Sequence, residues 1–364
     1  MGDNHRPVSR EHRPCIVPLG GFLGAGKTSL ILAAARLLHA RDLRAAAILN
    51  DQGADLVDTH FAQANGVRAD QVAGGCFCCR FSELMDAAER LSSDSPDVIF
   101  IEAVGSCTDI SATVLQPLKL EFAGRFRLAP YTVLIDPERA REWLEPGEES
   151  DLAFLFRKQI EEADLACFTK SDIHASFPPL AAGVPVRYLS SHTGQGVAEW
   201  LDEILAGRFP AARILDLDYD RYARAEASLA WLNCAATARL ATPLSPAMVV
   251  GPLLEALDAA LAAEGLAIAH LKVMDESPSG WLQASVVRNG AEPVVRGMLD
   301  ASPAAAHHLL LNVRAAGEPA ALRRIVETQL ARVPGRVRVR AIQCFSPSPP
   351  KPERRLSYVV KGPD

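Results

Sequence analysis

Gly21-Phe22-Leu23-Gly24-Ala25-Gly26-Lys27-Thr28 is the stretch that decides the fold. It fits the pattern G-x-x-x-x-G-K-[ST], and its flanks supply the context that pattern needs. Ahead of it, Cys15–Leu19 is a short apolar run that predicts a buried strand. Behind it, Thr28–Ala40 sets Leu30, Ala34, Leu37 and Leu38 on one stripe, which predicts a helix. Glycines let the backbone curl until its N–H groups face a phosphate, and a helix N-terminus adds a partial positive charge. Lys27 then reaches the β- and γ-phosphates, and Thr28 offers its hydroxyl to Mg²⁺. The candidate nucleotide contacts in this stretch are Gly21, Gly24, Ala25, Gly26, Lys27, Thr28 and Ser29.

Outward from this loop, short apolar runs alternate with amphipathic stretches. Ala45–Leu49, Val98–Glu102, Tyr131–Asp136, Leu165–Phe168 and Val186–Leu189 predict strands, and Phe81–Leu91 predicts a helix. That alternation predicts an α/β fold of the P-loop NTPase type, a mostly parallel sheet covered by helices. The expected domains are a flexible N-terminus 1–14, a nucleotide-binding domain 15–206, a linker 207–227 carrying Pro210, and a small α+β domain 228–364. In the last, the pattern reads β-α-β-β then β-α-β, from Ala230–Leu240 to Val337–Phe345. A Pro-rich connector, 346–352, follows, and Arg355–Val360 predicts a final edge strand.

The chain has 364 residues, a net charge of −6 and 49% apolar residues, enough for two packed domains and too apolar for disorder. The acidic balance argues against nucleic acid as a partner. The polar start, Met1–Pro14, and the acids Glu255, Asp258 and Glu264 within the apolar segment Ala247–Leu271 argue against a signal peptide and a membrane partner. A cytoplasmic protein with reduced cysteines is the expectation.

Two later motifs choose the base. Thr169-Lys170-Ser171-Asp172 follows a strand, and the Asp172 carboxylate can accept from both the N1–H and the exocyclic amine of guanine. Adenine offers neither donor there and would leave the carboxylate unpaired. Lys170 can lay its stem along the base, and Ser190-Ser191 can present a backbone N–H to the guanine carbonyl. Asp97–Glu102 runs to an acidic strand end, where Glu102 can hold the Mg²⁺ shell and Gly105 can meet the γ-phosphate.

Gly74-Gly75-Cys76-Phe77-Cys78-Cys79-Arg80 places three of the eight cysteines within four residues. Thiolates are soft ligands that suit Zn²⁺, and three of them leave a tetrahedral position open for exchange. A local redox disulfide is the competing reading. Cys15, Cys167, Cys234 and Cys344 lie on apolar runs and read as core, and Cys107 is not taken as a ligand.

Taken together, the phosphate loop, the C-x-C-C, the Glu102-x-x-Gly105 strand end and the T-K-S-D resemble the CobW-like metallochaperone GTPases, relatives of the urease and hydrogenase nickel-insertion GTPases, over about residues 15–205. The resemblance implies GTP hydrolysis coupled to binding a transition metal, zinc or cobalt, and its delivery to a client metalloprotein. It adds Asp51 to Lys27 and Glu102 as a candidate catalytic residue. The chain departs from the family's first switch, Asn-Glu-x-Gly-Glu, reading Asn50-Asp51-Gln52-Gly53-Ala54 with Asp55 next. Its nine histidines are scattered, so no metal-storing loop is expected. The motifs hold no arginine placed to act on the phosphates, so slow intrinsic hydrolysis, accelerated by a client or by a homodimer partner, is expected. Two rival readings stay open: an ATP-dependent small-molecule kinase, and a thiol or metal sensor that binds nucleotide without turnover.

Overall fold

Strand β1 (Cys15–Gly21), buried along its whole length, runs through the middle of an eight-stranded sheet. The computed structural model describes residues 13–52, 62, 66–180, 183–207 and 213–361. The N-terminal residues 1–12, positions 53–58 of the first switch with Gly53, Ala54 and Asp55, and Pro210 in the linker lie outside the described residues.

The other strands of this sheet are β2 (Ala45–Asp51), β3 (Arg68–Ala73), β4 (Val98–Glu102), β5 (Arg127–Leu128), β6 (Thr132–Ile135), β7 (Leu165–Phe168) and β8 (Val186–Tyr188). Their order is β3-β2-β4-β1-β6-β7-β8, with β5 beside β1, and every pairing is parallel. Successive residues of a strand face opposite sides, and both sides are covered. Ile16, Ile48 and Ile99 pack into one buried cluster, while Val17, Ala47 and Phe100 pack into another. This is why the central strands read as unbroken apolar runs. β3 reads Arg-Ala-Asp-Gln-Val-Ala and was not legible as a strand, because it is an edge with mostly polar, part-exposed residues.

A second sheet contains β9 (Leu229–Leu244), β10 (Ala267–Ser277), β11 (Gly280–Val286), β12 (Val294–Gly297), β13 (Ala304–Ala316) and β14 (Arg336–Phe345). It is antiparallel, in the order β12-β11-β10-β13-β9-β14. Helices Pro246–Ala263 and Pro319–Leu330 pack on it through Val250, Leu257, Leu261, Leu322 and Val326. The first of these is long and apolar enough to span a membrane by composition; here its apolar stripe is core.

Two expectations need correction. β12 is an extra short edge strand, too brief and exposed to show a period. Arg355–Val360 is not an edge strand but an irregular strap crossing back over the first sheet's helices. Its N–H groups bond isolated acceptors, Leu356 N–H to Ala112 O at 2.9 Å and Val360 N–H to Gln116 Oε1 at 2.8 Å, rather than a ladder.

Candidate nucleotide site and thiol cluster

The β1 backbone turns into the helix Lys27–Ala40 through three left-handed glycines, Gly21, Gly24 and Gly26, with φ of 121°, 80° and 95°. At Gly21 a Cβ would also lie 2.3 Å from Leu134 O, and at Gly24 2.3 Å from Val287 Cγ1 of the second domain. Lys27 is buried, and its ammonium donates to Gly21 O at 2.8 Å. Parallel registry sets Glu102 at the carboxyl end of β4 beside both β1 and β2. There the Thr28 hydroxyl donates to Glu102 Oε2 at 2.9 Å, both residues being buried. A hydroxyl and a carboxylate so placed are hard oxygen ligands that fit Mg²⁺. Gly105 packs its backbone on the phosphate loop: a Cβ would sit 2.9 Å from Leu23 N. Gln159, buried, fixes this turn by donating to Gly105 O and Cys107 O, both at 2.9 Å.

The loop opens into a cleft of about 690 Å³ lined by Lys27, Thr28, Ser29, Asp51, Glu102 and Gly105. Lys170, Asp172, Ser190 and Ser191 line it too, so all of the residues that the sequence nominated for nucleotide contact beyond β1 share one cavity with the rest of the phosphate loop. Lys170 is oriented by Asp136, at 2.5 Å. Burial alone would raise the Asp136 carboxyl; Lys170 and the N–H groups of Glu138 and Arg139 hold it below its ordinary value instead. Those two N–H groups are the first turn of helix Pro137–Trp143, which Asp136 caps.

The second sheet supplies a wall that the motifs did not announce. His270, Lys272, Arg288, Arg296 and Arg314 line the same cleft. Arg296 Nη2 donates to Ser29 Oγ at 2.6 Å, and Arg314 Nη2 donates to both oxygens of Asp51 at 2.9 Å. Burial, with Lys272, Arg314, Lys27 and Lys170 around it, pushes His270 well below the usual histidine range. The available signals were Lys272 and Arg314, charges inside the apolar runs Ile268–Met274 and Leu309–Ala316.

Cys76, Cys78 and Cys79 bring their sulfurs within 4.8 Å of one another. A single turn of chain does this: Cys79 and Arg80 N–H groups both donate to Cys76 O. Cys76 and Cys78 are buried and Cys79 is half-buried. Hydrogen bonds from Cys107, Cys78 and Cys79 hold the Cys76 thiol well below the ordinary cysteine range, while Cys78 is pushed up by its bonds with Cys76 and Cys79 and by burial. Cys107 therefore touches the cluster through Cys76, though the three-sulfur group does not include it. Cys107 also donates to Glu226 at 3.6 Å, and burial and the Cys76 charge push Glu226 up to about 8. Cys15, Cys167 and Cys234 are core, as expected, but Cys344 is only half-buried. His307 is fully buried between Asp275 and Ala304 O, a packing role.

Asn50 joins the two features. It lines the nucleotide cleft, and its side chain holds the thiol loop by accepting from Phe77 N–H at 2.8 Å and donating to Val72 O and Gly75 O at 2.9 and 2.8 Å. On the other side the C-terminal strap covers the loop. Lys351 N–H donates to Cys79 Sγ at 3.1 Å, and Glu353 N–H to Cys78 O at 2.9 Å. Glu353 Oε2 accepts from Ser82 N–H and Oγ, capping helix Phe81–Ser92. Arg355 anchors the strap on buried Asp109 at 2.9 Å. Losing a cap costs about 1 kcal/mol. Glu353→Ala is therefore expected to raise the modification rate of Cys79 by a thiol reagent roughly fivefold through easier local opening. Peptide mapping reads this, and an unchanged Cys79 rate would show that the strap does not shield it.

Residues 15–178 match the family model described as the CobW/HypB/UreG nucleotide-binding domain. Among solved structures, HypB from Helicobacter pylori in complex with nickel is 18% identical over 54% of this chain and 87% of that one, with a TM-score of 0.40. The Zn(II)-bound YjiA GTPase from E. coli is 17% identical over 88% and 99%, with a TM-score of 0.36. The signal recognition particle receptor FtsY from Elizabethkingia anophelis, in complex with GDP, is 17% identical over 55% and 69%, at 0.34. No curated protein sequence matches the chain. The matched residues carry the phosphate loop, the strand-end Glu102 and the three thiols, the same motifs by which the chain resembles the CobW-like metallochaperone GTPases.

Proposed function

We propose that this chain hydrolyses GTP and, in step with its nucleotide state, takes a transition metal on Cys76, Cys78 and Cys79 and hands it to a client metalloprotein. Zinc is the metal that the thiolate set favours. The observation that carries the reading is Asn50, a cleft residue with two hydrogen bonds to the thiol loop, at Gly75 and Phe77, and a third to Val72 of the adjoining β3.

In this reading the loop N–H groups and Lys27 hold the β- and γ-phosphates, and Asp172 accepts from guanine. Thr28 and Glu102 would hold Mg²⁺, which when bound neutralises charge on the phosphate oxygens. Catalysis is then mostly positioning and charge stabilisation by residues already in place. A terminal phosphate would repel the like-charged Asp51 and so shift its neighbour Asn50, and with it Phe77 and the sulfurs. Linkage makes the effect reciprocal.

Zinc affinity measured by competition with a chromophoric chelator is expected to differ at least about fivefold between a non-hydrolysable GTP analogue and GDP, a coupling of about 1 kcal/mol. Equal affinities would sink the coupling. Asn50→Ala should bring the two values together.

A further inference from the structure

Arg314 is 2% exposed and held on every side that the second sheet offers. Its Nη1 donates to Leu232 O at 2.9 Å and Val313 O at 3.0 Å, and its guanidinium lies 4.2 Å from the centroid of the Trp231 ring. Its Nη2 meets both oxygens of Asp51. Asp51 ends β2 and shares the cleft with Thr28 and Glu102. The second sheet is also seated on the phosphate loop itself, through Arg296 on Ser29 and Val287 against Gly24. Arg139, next to the loop, donates to Ile268 O and Val287 O of that sheet. Arg314 thus stands at a fixed place relative to the phosphates' loop.

We propose that Arg314 is a positioning residue for GTP hydrolysis, acting through Asp51, which it holds toward the corner where Thr28 and Glu102 meet. The inference rests on the GTPase reading above. It gives the second domain a part in the nucleotide site that the motifs alone did not reveal. A carboxylate at a strand end samples several rotamers, and a planar guanidinium fixed by two carbonyls and an aromatic face removes that freedom at small entropic cost. Lysine keeps the charge but cannot make the same fork or stack. The pair is also costly to break from one side, since a buried partner is left uncompensated.

The test is a double-mutant cycle on the full chain, reading steady-state GTP turnover and GDP affinity for the unaltered protein, R314Q, R314K, D51N and D51N/R314Q. R314Q is expected to lower kcat about 10–100-fold, with KM for GTP and affinity for GDP within about threefold, as misplacement of a catalytic group does. R314K is expected not to restore the rate. In the D51N background, R314Q is expected to have no further effect. If R314Q does not fold, R314K and D51N/R314K give the same cycle. Losses that multiply, or a loss confined to KM or GDP affinity, would overturn the inference while leaving the GTPase reading intact. No turnover by the unaltered protein would overturn both.

Discussion

Lys27→Ala is expected to reduce GTP turnover by about 10²–10³-fold, the scale of removing one preorganised donor from a transition state, about 3–4 kcal/mol. The side chain is buried, and its ammonium donates to carbonyl oxygens of its own loop, Gly21 and Phe22. The other cations that line the cleft are Lys170 of the first domain, on the base side, and Lys272, Arg288, Arg296 and Arg314 of the second. The loss should therefore fall mainly on the phosphates. Phosphate release with GTP, and with ATP as a control, measures it. A variant within threefold of the unaltered protein would refute the role given to this loop. ATP turnover equal to GTP turnover would instead favour the kinase reading over Asp172 as a guanine acceptor.

Replacing Cys76, Cys78 and Cys79 together by serine is expected to abolish tight zinc binding. Structural zinc sites with four ligands are worth about 10–16 kcal/mol, about 2.5–4 kcal/mol per ligand. A single Cys78→Ser change should then cost on the order of 10²-fold in affinity, and the triple change more than any chelator competition can follow. GTP turnover without added metal should stay within about threefold, because Asn50 holds the loop through the backbone groups of Gly75 and Phe77, and serine keeps the turn's backbone bonds. Retention of zinc by the triple variant would move the metal elsewhere and leave the thiols as a redox element.

The phosphate loop, Glu102, Gly105, Asp172 and the three thiols were legible because each depends on its own strand end or turn. Chemistry confined to a few consecutive residues survives in the order of letters. Arg314 was not legible as a partner of Asp51, because 263 residues separate them and only the packing of two sheets joins them. Asn50 was read as part of a switch, yet its bonds to Val72, Gly75 and Phe77 depend on β2 lying beside β3, whose polar edge sequence hides it. The tail misled for a related reason. Leu356, Tyr358 and Val360 alternate as a strand would, but the acceptors they meet sit singly on other elements.

The strap also bears on how the protein is made. Cys79 and its hydrogen-bond partner Lys351 are 272 positions apart, and Ser82 and Glu353 are 271 apart. At roughly 5–20 residues per second, a ribosome needs about 14–54 s to supply the second partner of each pair. Through that interval the helix Phe81–Ser92 lacks its cap and Cys79 its donor, while the parallel sheet beneath gains its remaining strands, β8 last. The thiol loop is written early and finished last, so a newly made chain meets the cell's metals and oxidants before its own tail has come to cover it.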